Sequence, residues 1–505
     1  MKELSNFFTP SRQSPIAILI FLIKFLRVTV KQGWAGVISL AVFFRKVEFS
    51  EWILYACILT ILALYVFFSI YSYLKFYYYL KEGEIVIKKG IFTKTTINLP
   101  FEKIQTIDFK QNLIQQVFGV VEFTIDSAGS KKQEVSLSAV PLEMAEQLRE
   151  YILQEKKSII SENEEKHTVT QEEIVKAPKS ILRLSILDLL KVGITQNHIK
   201  SLGLILVFFF GLLDQVRKLT EESDLDENQF EETVNTYFEE TLMLWIWVFS
   251  VAFLLFVPIV VSLVTTVFKY FDMQLLLGND GLKLKSGLLN KKQKSTTLRK
   301  IQTISWGWNP LQYLINIFTV KIYPATASSI KVKNILTIPG SKEEHIDKLL
   351  DSLGFTEKSQ NLKEHRMSSL YYVRGFWIIG VIPALIGGSV LFYLFSWNAL
   401  FTLIWPVFIF AESYVEYKKW RLLVNEHVLK IQHGLFGLHY KLIYWHKIQA
   451  VKITQSPYQR RRNLATIVCY QAGHQMRMSY ISLNLARQIE QYALYKIETD
   501  KIGWM

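Results

Sequence analysis

Four histidines stand close together late in the chain: His427, His433, His439 and His446. Imidazole is the commonest metal ligand in proteins, and even spacings of six would put the first three on one face of a straight strand. The stretch Gly434–Gly437 between them reads as a turn, so the strand does not run straight and ordinary surface histidines are expected. The two cysteines, Cys57 and Cys469, fall in an apolar run and in a strand-like run, so neither a disulfide nor a metal-ligand spacing is expected of them. No Walker A, G-x-S-x-G, H-E-x-x-H or C-x-x-C pattern occurs. The expectation is no catalytic residue, no metal, no cofactor and no enzyme activity.

What remains is recognition by charged and amide side chains, and it recurs. KIQTI stands at Lys103–Ile107 and again at Lys300–Ile304, with the near-copy KIQAV at Lys447–Val451. Gly90, Gly287 and Gly434 each lie 15 residues before the motif glutamine. Ten residues after that glutamine comes another, Gln115, Gln312 or Gln459, and four further on Gly119, Asn316 or Asn463, types that accept left-handed backbone angles. The separations of 197 and 147 residues are unequal, so this is not a stacked solenoid but three copies of one domain with different inserts. Two readings of the motif compete. In one the isoleucine is core and Lys and Gln merely point outward. In the other Lys103, Gln105, Lys300, Gln302, Lys447 and Gln449 form a contact surface for lipid or a partner. Arg460, Arg461 and Arg462 precede Asn463 in the turn after the third motif, where the other copies have Gln116-Val117-Phe118 and Tyr313-Leu314-Ile315. Three successive arginines cannot all face a small core. Two readings stand: this turn is the membrane- or partner-facing edge, electrostatic in the third copy and apolar in the first two, or the arginines merely reinforce the inside orientation.

The elements that must carry these residues follow from periodicity. EIVIKKG, LKLKSG and VLKIQHG read as strands running into a glycine turn and a second strand. Ile104 falls on the opposite parity from Leu99 and Phe101, so a corner or bulge is expected near Glu102–Lys103. Each copy closes with a helical pattern: PLEMAEQLREYIL, SKEEHIDKLLDSL and SLNLARQIEQYAL. Antiparallel strands with one terminal helix make an α+β plan.

Half of the 505 residues are hydrophobic, and mean hydropathy is +0.19. Trp52–Leu74, Thr241–Phe268 and Gly375–Ala411 carry no charge over 23, 28 and 37 residues. About 20 apolar residues cross a bilayer, so the last run is expected to break into two helices at Ser396-Trp397-Asn398. Shorter runs, 33–44 and 201–213, precede the other two, giving three helical hairpins; three or four spans with interfacial short runs is the alternative. Ahead of them, Lys24, Arg27 and Lys31 share a face of an amphipathic N-terminal helix, or simply begin the first span. The run is a poor secretory signal. Pro258 and Pro406 are read as kinks rather than as the interrupted helices of a transporter.

The net charge of +14 is unevenly spread. Segment 418–462 has ten Lys/Arg and one acid, whereas loop 214–240 has ten Asp/Glu and two Lys/Arg. Excess Lys/Arg stays cytoplasmic. The copies are therefore expected inside and the acidic loop outside. Topology accounts for most of the positive charge, and no nucleic-acid partner is expected.

The order of hairpin, strand, glycine turn, K-I-Q strand, Gly/Asn turn and terminal helix resembles the bacterial pleckstrin-homology-like (PH-like) domain of YdbS/YdbT-type membrane proteins. LSILDLLKVGITQNHIKSLGLIL is similar to the linker of members that carry three such domains. The resemblance covers nearly the whole chain. The form L-P-x-x-K-I-Q is intact only at Leu99–Gln105; Thr297 and Tyr444 take the place of Pro100, and Ala450 replaces the motif threonine. The implied fold is an α+β integral membrane protein: three transmembrane helical hairpins, each followed by a PH-like β-barrel or sandwich with a C-terminal helix. The implied division is an amphipathic helix over 1–32, hairpins over 33–74, 199–268 and 372–416, PH-like domains over 75–157, 269–355 and 417–500, and linkers over 158–198 and 356–371. A multi-pass protein of a bacterial inner or plasma membrane is expected, a non-enzymatic scaffold for protein partners or the anionic lipid of the inner leaflet. The resemblance brings in a YdbS-type PH-like membrane protein as a partner. The alternative is a transporter or export accessory with a path between the hairpins.

Overall fold

The computed structural model describes residues 7–28, 51–91, 93–127, 135–164, 179–196, 203, 207, 211, 240–278, 281–325, 335–355 and 361–499. The first copy places three strands before the motif and the other two place four; each has three from it onward. The first has β1 (Tyr77–Lys81), β2 (Glu84–Lys89), β3 (Thr95–Pro100), β4 (Ile104–Gln111), β5 (Val120–Ser127) and β6 (Val135–Pro141), then a helix over Leu142–Glu164. The second has β7 (Lys179–Arg183), β8 (Gln274–Gly278), β9 (Gly281–Ser286), β10 (Lys291–Thr296), β11 (Ile301–Trp308), β12 (Phe318–Pro324) and β13 (Leu336–Ser341), then a helix over Glu343–Ser352. The third has β14 (Lys363–His365), β15 (Arg421–Val424), β16 (Val428–His433), β17 (Leu438–Tyr444), β18 (Ala450–Thr454), β19 (Leu464–Gln471) and β20 (His474–Ser482), then a helix over Leu483–Thr499.

Alternation builds the core. In the first copy Ile85, Ile87 and Leu99 meet Phe109, Phe123, Ile125 and Leu137 from the later strands, and Leu148 and Ile152 close the cluster from the helix. The corner expected before the motif isoleucine is a single 3-10 turn, at Phe101–Lys103, Leu298–Lys300 and Trp445–Lys447. A bulge follows in the first two copies, between Ile104 and Thr106 and between Ile301 and Thr303. These turns return the isoleucine to the core face: Ile104, Ile301 and Ile448 are 2%, 5% and 1% exposed.

The copies are not three separate sheets. Two seven-stranded sheets run across copy boundaries, in the orders β6-β5-β4-β10-β9-β8-β7 and β13-β12-β11-β17-β16-β15-β14. Three-stranded sheets, β1-β2-β3 and β18-β19-β20, terminate the series. The core of the second copy even takes in Val428 and Leu442 of the third.

Apolar helices lead into each first strand: Glu51–Leu74 into β1, Glu240–Tyr270 into β8, and Ile404–Lys419 into β15. Ahead of the last, a helix over Leu370–Gly375 continues through a π turn (Phe376–Val381) into Ile382–Phe395. It breaks at Ser396, whose φ is +50°, as the Ser-Trp-Asn sequence led us to expect. The two arms then pack side by side, with Trp405 Nε1 donating to Ile379 O at 2.9 Å and Gly380 lying against Pro406. Pro406 marks a change of helix type. It lies where a 3-10 stretch over Ser396–Leu403 passes into the helix Ile404–Lys419. Pro258 does lie inside its helix. Among the described residues, Ala252–Tyr270, Leu370–Leu394 and Leu400–Lys419 are long and apolar enough to cross a membrane. Run 33–44, most of run 201–213 and all but the last residue of the acidic loop lie outside the described residues.

A strand before each set of membrane helices pairs with the first strand after it. Ser11 bridges Tyr78, with N–O distances of 3.0 and 2.9 Å. β7 pairs with β8, and β14 with β15. Residues 179–183 and 363–365 were expected in linkers; they are ladder strands of the second and third copies. The N-terminal helix likewise covers only 17–28 of the described residues. The segment ahead of it docks on the first copy, where Gln13 Oε1 accepts the N–H groups of Ser138 and Ala139, both at 3.2 Å.

Candidate functional site

The motif polar residues divide. Lys103 and Gln449 are exposed, and the Gln105 side chain lies outside the described residues. Gln302 and Lys447 do not point outward as expected: they are 1% and 5% exposed. For Lys447 the reason is the neighbouring copy. Lys447 reaches into the second copy and donates to Arg299 O at 2.7 Å, so its ammonium closes the 3-10 corner there. Burial, with Arg299 adding to it, lowers its pKa. Gln302 sits on β11 beneath the same junction and donates to Lys300 O at 3.4 Å. Lys300 is half-buried, and its Nζ has no hydrogen-bond partner among the described residues. Burial pushes its pKa down to about 7, with nearby Lys156 adding and Asp126 opposing. The motif is thus partly a device for joining copies.

The recurring glutamines are structural. Asn112, Asn309 and Ser456 cap one-turn helices at Leu113–Val117, Pro310–Leu314 and Pro457–Arg461. Gln115, Gln312 and Gln459 return the bond to the cap backbone at 2.8, 3.1 and 2.9 Å. Their amides then donate inward to Ser138 O, Thr319 Oγ1 and Thr466 Oγ1. This is the capping box, and N-x-x-Q or S-x-x-Q in the sequence signals it. With the glutamine fixed inside, the next residues must face out. Val117 and Phe118 are 81% and 50% exposed, and Tyr313 and Leu314 are 68% and 77% exposed. Arg460, Arg461 and Arg462 are exposed in the third copy. The turn ends on Gly119, Asn316 and Asn463 at φ of +64°, +50° and +52°.

The first two of these turns stand beside the membrane helices. Gln116 Nε2 donates to Leu288 O and Leu289 O, both at 3.0 Å, in the glycine loop of the second copy. That loop is pinned to the end of the apolar helix, with Leu288 N to Phe268 O at 2.9 Å. The second boundary repeats the arrangement. Gly437 packs on the Trp308 carbonyl and Asn309, while Lys419, at the end of its apolar helix, donates to Leu435 O at 2.6 Å. Phe436 at that loop tip is 73% exposed.

Between copies the strands form ladders, here called seams. In the first, Gln111, Lys110 and Phe109 face Lys291, Lys292 and Gln293. Ser295 adds two bonds, N–H to Asp108 Oδ1 at 3.1 Å and Oγ to Ile107 O at 3.0 Å. In the second, six pairs run from Thr303↔Ile443 to Trp308↔Leu438. The Trp306 and Tyr440 rings stack at 5.4 Å, with Lys430 Nζ 5.1 and 4.8 Å from their centres. Phe355 stacks on Tyr444 at 4.0 Å, and Tyr444 OH reaches Leu353 O at 3.0 Å. With twice the ladder pairs and a shared aromatic core, the second seam is the stronger. Nothing in the sequence read alone pointed to either.

Of the histidines, His433 and His439 face each other as a cross-strand pair with ring centres 5.8 Å apart. Burial lowers both pKa values, that of His433 to about 4.

The model of the bacterial PH domain family bPH_2 matches residues 20–156, 233–354 and 375–497, each match taking in apolar helix as well as strands. The chain is 24% identical over 476 residues to the UPF0699 transmembrane protein YdbT of Bacillus subtilis (strain 168), covering 91% of this chain and 92% of that protein. No solved structure matches. With three matches that together span most of its length, the chain belongs to the bacterial PH domain family and carries the domain three times.

Proposed function

We propose that this is a non-catalytic, multi-pass membrane scaffold whose three PH-like domains lie side by side on the cytoplasmic leaflet, presented to protein partners or anionic lipid. The observation that carries it is the position of the exposed turns. Each of the first two abuts the glycine loop that packs on the end of the next apolar helix, so the turns stand at the level where that helix would leave the bilayer. Burying an apolar side chain such as Leu314 or Val117 in the interface is worth roughly 1.5–3 kcal/mol, and the third turn substitutes arginines that an anionic leaflet attracts.

Strand pairing supports a single face for all three domains. β7 and β8 are neighbours in one ladder, yet the chain between them includes the helix Glu240–Tyr270. A chain that leaves a ladder and returns to it crosses the bilayer an even number of times. The same holds between Ser11 and Tyr78 and between β14 and β15. Paired spans are therefore favoured over single ones, and the short runs 33–44 and 201–213 are the partners available to Glu51–Leu74 and Glu240–Tyr270. The basic domain segments and the acidic loop give the orientation.

The test is a fluorophore on Leu314→Cys in the full chain, reconstituted in anionic nanodiscs. Quenching by lipid-borne quenchers exceeding that by water-soluble ones supports the reading. A probe seen only from water contradicts it.

A further inference from the structure

The two seams are one interface used twice. Gln111, seven residues after Ile104, faces Lys291, ten before Ile301. Trp308, seven after Ile301, faces Leu438, ten before Ile448. Measured from the motif isoleucine, the registers are identical. Each copy therefore has a donor edge, the motif strand, and an acceptor edge, the strand before the corner. The motif strands β4 and β11 and the acceptors β10 and β17 are occupied. Among the described residues, the two left without a partner on one side are β3, the acceptor of the first copy, and β18, the motif strand of the third. They are the two halves of the same joint, at opposite ends of one chain.

We propose that β18 of one chain adds to β3 of a second copy of this chain, extending the sheets head to tail from molecule to molecule. The repeated register fixes the pairing. Ala450 faces Leu99, Val451 faces Asn98, Lys452 faces Ile97, Ile453 faces Thr96 and Thr454 faces Thr95, so all five residues of β18 meet the first five of β3. Pro100, which has no N–H to give, falls one place beyond the last pair, as Tyr444 does in the second seam; in the first the ladder ends at Gln293, well before Thr297.

The edges suit this use. Edge strands in monomers are commonly guarded by inward charges, prolines or bulges. β3 has no charged residue, and Thr95, Thr96 and Asn98 are exposed on it. The one charge on β18, Lys452, selects its target. Its counterpart in the second seam, Ser305, faces Lys441, and in the first seam Asp108 has Lys294 beside it. Like charges directly opposed cost a ladder some stability, as Lys110 opposite Lys292 does in the weaker first seam, so Lys452 opposite either lysine, or opposite itself in two paired β18 strands, is less favoured. Opposite Ile97 it meets no charge. The contact is heterologous and repeats from copy to copy. This deepens the scaffold reading by naming its partner, and it rests on the domains sharing one membrane face.

The test uses full-length chains carrying two different tags, both with Cys57 and Cys469 replaced by alanine, co-expressed in the same membranes. One carries Thr95→Cys and the other Thr454→Cys. Opposed residues of an antiparallel pair have Cα atoms about 4.5–5.5 Å apart, within the span of a disulfide. A disulfide joining the two tags is expected, and at least tenfold less with Ala450→Cys in place of Thr454→Cys. In a second arm without cysteines, Ile97→Lys is expected to reduce the multi-copy species in mild detergent several-fold, and adding Lys452→Glu to restore it. A single-copy mass for the wild type, or cross-linking that ignores register, would overturn the proposal. Either result from the Leu314 probe leaves this outcome readable, since a membrane-bound monomer and an unbound oligomer give different combinations.

Discussion

Asp108 Oδ1 accepts the backbone N–H of Ser295 at 3.1 Å, a bond from the first copy to the second made by a carboxylate only 6% exposed. Burial raises the Asp108 pKa to about 6; the Ser295 bond opposes this, Asp126 adds to it, and Lys294 and Lys110 oppose it. The folded value lies above the ordinary 3.8, so the folded chain holds the proton more tightly than the unfolded one. Stability from this group is therefore full below about pH 4 and is lost as pH rises to about 6. Asp108→Asn keeps an acceptor for Ser295 and removes the charge. It is expected to melt higher than wild type at pH 7, by a difference on the order of 2–3 kcal/mol at most, with the gap closing toward pH 4. Thermal unfolding across that range checks it, and a less stable variant at pH 7 would refute the assignment.

Ile301→Ala removes buried methyl groups from a position 5% exposed in a core that includes Val428 and Leu442 of the next copy. A cost of roughly 2–5 kcal/mol is expected. Because the core is shared, hydrogen exchange should show protection lost in β16 and β17 as well as in the second copy. Loss confined to the second copy would mean the seam does not couple them.

Arg460, Arg461 and Arg462, changed together to serine, are exposed and should leave the melting temperature within a degree or so, since surface changes rarely exceed about 0.5 kcal/mol. The effect should appear in lipid contact. A fluorophore at Asn463→Cys in anionic nanodiscs is expected to become more water-accessible as salt rises, because screening shortens the reach of the field. The serine variant should show no such salt response. Equal behaviour in zwitterionic and anionic discs would remove the electrostatic role.

The triplication, the membrane runs, the glycine turns, the corner and the buried isoleucines were all legible, because period-two alternation and fixed spacings report local geometry directly. Gln115, Gln312 and Gln459 were visible as a recurrence, but their role required noticing the Asn or Ser three residues earlier. The seams were not legible. An edge strand that pairs with another copy has the same alternation as one that faces water, so nothing in β10 or β17 announces its neighbour. Lys447 went astray for that reason: parity put it outside one domain, and the adjoining domain covers that outside. β7 and β14 were missed because five and three residues carry too little pattern to separate a strand from a linker.

The account stands on all three domains sharing one membrane face, with the acidic loop on the other. Single cysteines at Ser223, Thr95 and Lys452, each in the full chain with Cys57 and Cys469 replaced, can be labelled on intact cells stripped of any outer barrier, using a maleimide that does not cross membranes. The expected result is labelling at Ser223 from outside, and at Thr95 and Lys452 only after lysis. Thr95 and Lys452 labelled on opposite sides, or Ser223 labelled only after lysis, would contradict it.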